Sequence, residues 1–244
     1  MPVTLGYISG SIWGSEPKRS VEAASIGKAA RHGSRPGLRG ALTRWINTQG
    51  LSVYTIAAGF LLLSPWSGVG LDYLSMDRAA LGNGEFWRVW TGPLVHNSLP
   101  HLLLSLTGLV VLQQMFGEEL QAVFWAPAYA VISTVIGVCW LLFDEVSWLP
   151  YGGYDSVVGL SAILHGLFAY AACLAMRRDR LLASGVLLII GIKIVWEHLF
   201  GPSELSAGII DMPVAATTHV YGYAGGLGLG AIATLTRRMI RAGR

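Results

Sequence analysis

The chain has 244 residues, of which 53% are hydrophobic and 13% charged. Soluble domains carry about 25% charged residues, so this chain lacks the polar material to cover a water-exposed fold, and the soluble, disordered and disulfide-rich secreted classes are excluded. Its net charge of +3 does not indicate nucleic acid, because the basic residues stand in blocks flanking apolar runs, the pattern of cytoplasmic membrane loops.

Residues 1–50 hold no apolar run and carry Lys18, Arg19, Lys28, Arg31, Arg35, Arg39 and Arg44 against Glu16 and Glu22. They lack the apolar core of a signal peptide and read as a disordered, basic, Gly/Ser/Arg-rich cytosolic tail. Six segments then approach the about 20 apolar residues that a spanning helix needs: Leu51–Leu71, Val95–Phe116, Gln121–Phe143, Val157–Met176, Leu181–Phe200 and Val214–Leu235. None keeps a strand-like alternation, which argues against a lipid-facing barrel. The expected fold is an all-α membrane protein, a six-helix transmembrane bundle over residues 51–236 with a short basic cytosolic tail at 237–244.

Positive charge selects the cytoplasmic side. Arg177, Arg178 and Arg180 follow the fourth segment, and Arg237, Arg238, Arg241 and Arg244 follow the sixth. Glu118 and Glu119 occupy the remaining inner loop, where acidic residues weigh little. Asp72, Asp77, Asp144, Glu145, Asp155, Glu204 and Asp211 fall in the outer loops. Both termini are therefore expected in the cytoplasm. Cys139 and Cys173 fall at opposite depths, beyond the roughly 7 Å Cα limit of a disulfide, and read as small buried apolar residues.

Polar groups inside a membrane are costly, so their convergence is informative. His96, His101 and Ser105 lie at the outer end of the second segment, Gly159-Leu160-Ser161 at that of the fourth, and His219 a turn or two into the sixth. A serine at a helix start has a backbone N–H without an intrahelical partner, and such a donor can hold an oxyanion. The hydroxyl needs a base, for which His219 is the candidate; a capping serine and a structural histidine are the plainer reading of the same two residues. Gly222, Gly226 and Gly230 repeat every four residues after His219, a small-residue stripe that lets membrane helices approach closely. His165 lies one turn, about 6 Å, below Ser161. It reads as a supporting group, or as a competing base. Lys193 and Glu197 are spaced to pair on one helix face; alternatively Glu197 reaches His219 and orients it, or contacts the substrate. No His-Glu-x-x-His helix is present. A zinc site of His96, His101 and His219 would lack a carboxylate on the second, fourth or sixth segment, so no metal and no cofactor is expected. The paired interrupted helices of transporters are not seen either.

Glu85-Phe86-Trp87-Arg88, followed by Thr91, His96 and His101, resembles the first loop and second helix of rhomboid intramembrane serine proteases; Gly159-Leu160-Ser161 resembles their nucleophile motif, and His219 with its glycine stripe their histidine helix. The resemblance covers about Leu51 to Leu235. Two stretches, Gly159 to Gly166 and Lys193 through Trp196-Glu197 and Gly201-Pro202 to His219-Val220-Tyr221-Gly222, are similar to the bacterial rhombosortase branch.

That resemblance implies a serine endopeptidase with a Ser161–His219 dyad lacking an acid. Ser161 N–H and His101 would hold the oxyanion, with Ser105, His96 and Gly159 as further oxyanion- or substrate-positioning residues; His165, Glu197, Lys193 and Tyr221 are candidates for supporting the site from around it. It further implies substrates anchored in a bacterial inner membrane by a C-terminal sorting tail of the GlyGly-CTERM type, cut near the outer face. The sequence departs from the family pattern at Ala162, where a glycine is expected, and at Ser105, where the family carries an oxyanion asparagine. The rival expectation is an inactive rhomboid-like protein that binds transmembrane segments as a chaperone or sorting factor.

Overall fold

A computed structural model describes residues 68–120, 122–144, 153–202, 208 and 214–243. The basic N-terminal tail and the first apolar segment up to residue 67 lie outside the described residues, as do Glu145, Glu204 and Asp211. Among the described residues, three helical stretches are long and apolar enough to cross a membrane: Leu99–Phe116, Ala126–Phe143 and Arg180–Phe200. The chain is a mostly helical membrane protein.

The described chain opens with helix α1 (Gly68–Leu74), a two-residue strand β1 (Met76–Asp77), helices α2 (Arg78–Gly82) and α3 (Arg88–Thr91), and a 3-10 turn at Gly92–Leu94. These short elements are absent from the sequence reading, because none is long enough to show a period. Polar anchors hold them instead. The Asp77 side chain caps α2 by accepting from Ala80 N–H at 2.9 Å. Arg88, 4% exposed, donates to Glu85 Oε2 (2.6 Å), to the Asp72 carbonyl (2.8 Å) and to the Ser75 carbonyl (3.0 Å). Thr91 Oγ1 donates to the Leu74 carbonyl at 2.9 Å. A buried guanidinium is tolerated only when its donors are matched in this way, so the Glu85–Thr91 motif clamps the loop to the end of α1.

The long helices follow. α4 (Leu99–Phe116) begins four residues after the apolar segment that predicts it, because Ser98 in extended backbone accepts from His101 N–H and Pro100 occupies the first turn. α5 (Ala122–Phe143) is followed by β2 (Ser156–Val157), which pairs antiparallel with β1, Met76 opposite Val157 and Asp77 opposite Ser156. α6 (Ser161–Ala175) starts later than its apolar run, since Val157 is in β2 and Gly159 at φ 98° breaks the chain before the helix. α7 (Arg180–Phe200) is capped by Asp179, which accepts from Leu182 N–H at 3.0 Å, and is ended by Gly201 at φ 86°. α8 (Ala216–Ala242) runs past its apolar segment through Arg237, Arg238 and Arg241 to Gly243. The expected basic tail thus continues the helix, as nothing before Gly243 interrupts it.

α6 is the centre of the bundle, with most of its side chains buried. Its tightest neighbour is α8. A Cβ at Gly222 would overlap the Ala162 carbonyl, and one at Gly226 the Gly166 carbonyl; a Cβ at Gly166 would lie 2.6 Å from the Gly222 carbonyl oxygen. Backbone therefore meets backbone along this seam, as small residues at four-residue spacing permit. The starts of α4, α6 and α8 meet the end of α7 at one end of the bundle. At the other end Arg178 pairs with Glu118 (2.7 Å) and Glu119 (3.1 Å), joining the loops after α4 and α6.

Candidate active site

Three structural devices bring the nucleophile candidate into place. The β1–β2 pair carries the loop before α6 across the bundle, Gly159 N–H donates to the Gly92 carbonyl at 3.3 Å, and Gly159 turns the chain into the helix. Ser161 is the first residue of α6, so its backbone N–H belongs to the set that a helix start leaves without intrahelical acceptors. Gly159 is needed twice over. Its φ is one that side chains rarely adopt, and a Cβ there would overlap the Cε1–Nε2 edge of the His101 ring. The His101 imidazole therefore lies against the turn that presents Ser161.

Ser161 Oγ and His219 Nε2 are 3.0 Å apart, and His219 Nδ1 is 2.8 Å from Glu197 Oε2. The other carboxylate oxygen, Oε1, accepts from Lys193 Nζ at 2.7 Å. His219 is 3% exposed and Glu197 5%. The structure thus contains both pairings that the sequence left as alternatives, Lys193 with Glu197 and Glu197 with His219. An acid stands where the resemblance implied none. His165 stacks on His219 with ring centroids 4.3 Å apart and planes 16° from parallel, while its Nδ1 lies 2.7 Å from the Ser161 carbonyl oxygen.

His101 Nδ1 lies 2.5 Å from Asn97 Oδ1. His96 meets His101 edge-on at 4.9 Å, and its Nε2 lies 3.0 Å from Ser105 Oγ. Ser105 is therefore engaged by His96, and His96 lines neither of the two cavities described below; this pair backs His101. Tyr221 is not drawn into the cluster: its hydroxyl is buried and makes no hydrogen bond with any described residue.

Two cavities meet at the Ser161–His219 pair. One, of about 220 Å³, is bordered by Asn97, Tyr154, Gly159 and Thr218 together with His101. The other, of about 580 Å³, lies between α4, α6 and α7 and is walled by apolar side chains such as Leu104, Leu164, Phe168 and Ile190, with Lys193 and Glu197 at one end. Ser161, His219 and His101 border both. This arrangement offers a hydroxyl beside a base, with backbone and imidazole groups alongside, at the junction of a smaller chamber of mixed polar and apolar lining and a larger, mostly apolar one.

His165, Glu197 and His219 also offer ligand atoms within 4.8 Å of one another. His165 Nδ1, both carboxylate oxygens of Glu197 and both ring nitrogens of His219 are already in hydrogen bonds. The cluster is satisfied as a hydrogen-bonded chain, and an ion would have to break it.

Two contributors escape a reading of the sequence. Asn97 sits one turn before His101, a spacing that could have suggested the contact. Asp144, 2% exposed, accepts from Gly153 N–H at 2.7 Å and from Thr217 Oγ1, tying the end of α5 to the start of α8 two residues before His219. A carboxylate at the edge of an apolar segment gave no hint of a partner 73 residues on. Over residues 83–235 the chain matches the family model described as the Rhomboid domain.

Proposed function

The chain belongs to the rhomboid family, whose members are serine intramembrane proteases acting on membrane proteins, and from that premise we propose that Ser161 and His219 are its nucleophile and base. The observation that carries this reading is the 3.0 Å approach of Ser161 Oγ to His219 Nε2 where the two cavities meet. Ser161 Oγ attacks the scissile carbonyl as its proton passes to His219 Nε2. The oxyanion forms beside Ser161 N–H and the His101 ring, and His219 returns the proton to the leaving amine, releasing it from an acyl-enzyme. Water then repeats the sequence to free Ser161. Buried donors aimed at such an oxyanion are each worth about 2.7–4 kcal/mol.

We assign the substrate to the same reading. The larger, mostly apolar cavity suits a transmembrane segment, and the smaller one, where Asn97, Tyr154 and Thr218 stand among apolar side chains, suits the emerging peptide beyond it. The similarity of the stretches around Ser161 and from Lys193 to Gly222 to rhombosortases supports proteins with GlyGly-CTERM sorting tails as substrates. The proposal includes a six-helix bundle in a bacterial inner membrane, both termini in the cytoplasm and the site near the outer face. The Arg178 end of the bundle, with Arg237, Arg238 and Arg241 beyond the sixth apolar segment, suits the cytoplasmic side by the positive-inside rule.

The test is labelling of the purified chain by a fluorophosphonate probe. The wild type should label, and Ser161→Ala and His219→Ala should not. A folded wild type that stays unlabelled would overturn the reading and favour a protein that binds transmembrane segments without cutting them.

A further inference from the structure

The Ser161–His219 reading requires a particular state of the imidazole. Nε2 must present a lone pair to the Ser161 hydroxyl, so the ring proton must sit on Nδ1. Nothing in a serine–histidine pair enforces that tautomer. Here Glu197 Oε2 lies 2.8 Å from Nδ1, and Lys193 Nζ lies 2.7 Å from Glu197 Oε1.

We propose that Glu197, held by Lys193, is a positioning residue that fixes His219 in its reactive tautomer and steadies the imidazolium formed when Ser161 is deprotonated. The inference rests on the assignment of Ser161 and His219 above. A carboxylate only accepts hydrogen bonds, whereas a lysine ammonium only donates them. The one arrangement that satisfies Lys193, Glu197 and His219 together has Nζ–H donating to Oε1 and Nδ1–H donating to Oε2. His219 Nε2 is then left to accept from Ser161 Oγ–H. On attack the proton moves from Oγ to Nε2, and the resulting cation lies between Ser161 and a carboxylate that is 5% exposed. His165 covers one ring face and is itself tied to the Ser161 carbonyl, so the ring has little freedom to turn away.

The alternative, a Lys193–Glu197 pair that merely stabilises α7, makes the opposite prediction for one substitution. In Glu197→Gln the amide oxygen must face the Lys193 ammonium, because the amide NH2 cannot. The NH2 then faces Nδ1, which must accept, and the ring proton is driven to Nε2, where it blocks the base. Glu197→Gln should therefore lower the maximal rate of fluorophosphonate inactivation by about 10²–10⁴-fold, as a wrong tautomer does in a serine–histidine–acid triad, with the probe's half-saturating concentration little changed. Glu197→Ala, which imposes no tautomer, should be milder than the isosteric change. Lys193→Met combined with Glu197→Gln frees the amide to rotate, and should restore the rate to within about tenfold of Lys193→Met alone.

All variants are measured as full chains in detergent, with thermal melting to confirm folding. A purely structural pair would rank Glu197→Gln above Glu197→Ala and give no recovery in the double variant; either result overturns the proposal. If Ser161→Ala still labels, the assignment of the nucleophile fails and this inference goes with it. If labelling needs Ser161 but Glu197→Gln reacts at the wild-type rate, only the positioning role fails.

Discussion

The two flanks of α6 are built on opposite principles. Toward α8 the helices touch backbone to backbone, with no room for a Cβ at Gly166, Gly222 or Gly226. Toward α7 the contact is made by side chains such as Ala183 and Val186 and is less extensive than toward α8. A cavity of about 580 Å³ lies among α4, α6 and α7, and an apolar groove lined by Leu187, Trp196 and Tyr223 runs along α7 beside α8. Only 22% of the α7 span is buried, against 39% for α4, and Leu188, Ile189, Ile192, Val195 and Leu199 face outward. Specific bonds add to the core packing of Ala183 and Val186 in holding α7, from Glu197 to His219 and from Tyr223 Oη to the Leu187 carbonyl at 2.9 Å. The difference teaches how a serine–histidine pair can be set by close backbone packing beside an open chamber. Ser161 and His219 ride on the close-packed seam, and the loosely packed helix forms the wall of the chamber.

Gly222→Val breaks this contrast most severely. The added carbons meet the Ala162 carbonyl, one residue from Ser161, and backbone cannot yield as a side-chain tip can. Overpacking of this kind costs about 1–3 kcal/mol or more, and here it also drives His219 from Ser161. The expected outcome is loss of fluorophosphonate labelling with a clearly lowered melting temperature. Wild-type labelling in this variant would mean that the seam is not what sets the 3.0 Å distance.

Gly159→Ala tests the end of α6 rather than its faces. Strain at a positive φ and collision with the His101 ring act together, so labelling should fall about 10²-fold, the scale of losing one oxyanion donor. Melting should shift far less than in Gly222→Val. Equal losses in the two measurements would show Gly159 to be a folding position only. Gly185→Ala on α7 gives the smallest effect. A Cβ there meets nothing within 4 Å, and alanine is favoured over glycine in a helix by about 0.8–1 kcal/mol. Unchanged labelling and equal or higher stability are expected. A marked loss in this variant would contradict the loose packing of α7.

Hydropathy located α4, α5, α6, α7 and α8 along the chain because burial in lipid leaves a long local signature. It could not locate α2, α3 or the β1–β2 pair, which are short and held by Asp77, Arg88 and Thr91 through contacts with distant backbone. The small-residue stripe at Gly222, Gly226 and Gly230 was legible for the same reason as the helices: a four-residue repeat maps onto one helix face without knowledge of the partner. Ser161 and His219 could be singled out by motif and spacing. The choice between Glu197 paired with Lys193 and Glu197 paired with His219 could not be made, because i to i+4 spacing reports one contact and is silent about the other.

By itself the sequence determined that this chain belongs in a membrane, where its apolar segments run, and which side chains are too costly there to be idle. The tertiary structure alone decided that His101 lies over Gly159, that Asn97 reaches His101, and that Glu197 touches Lys193 and His219 at once. The physical reason is range. Hydrophobicity and helical period are properties of neighbouring residues, whereas a hydrogen-bonded cluster depends on how far apart and at what rotation four separate helices finally pack.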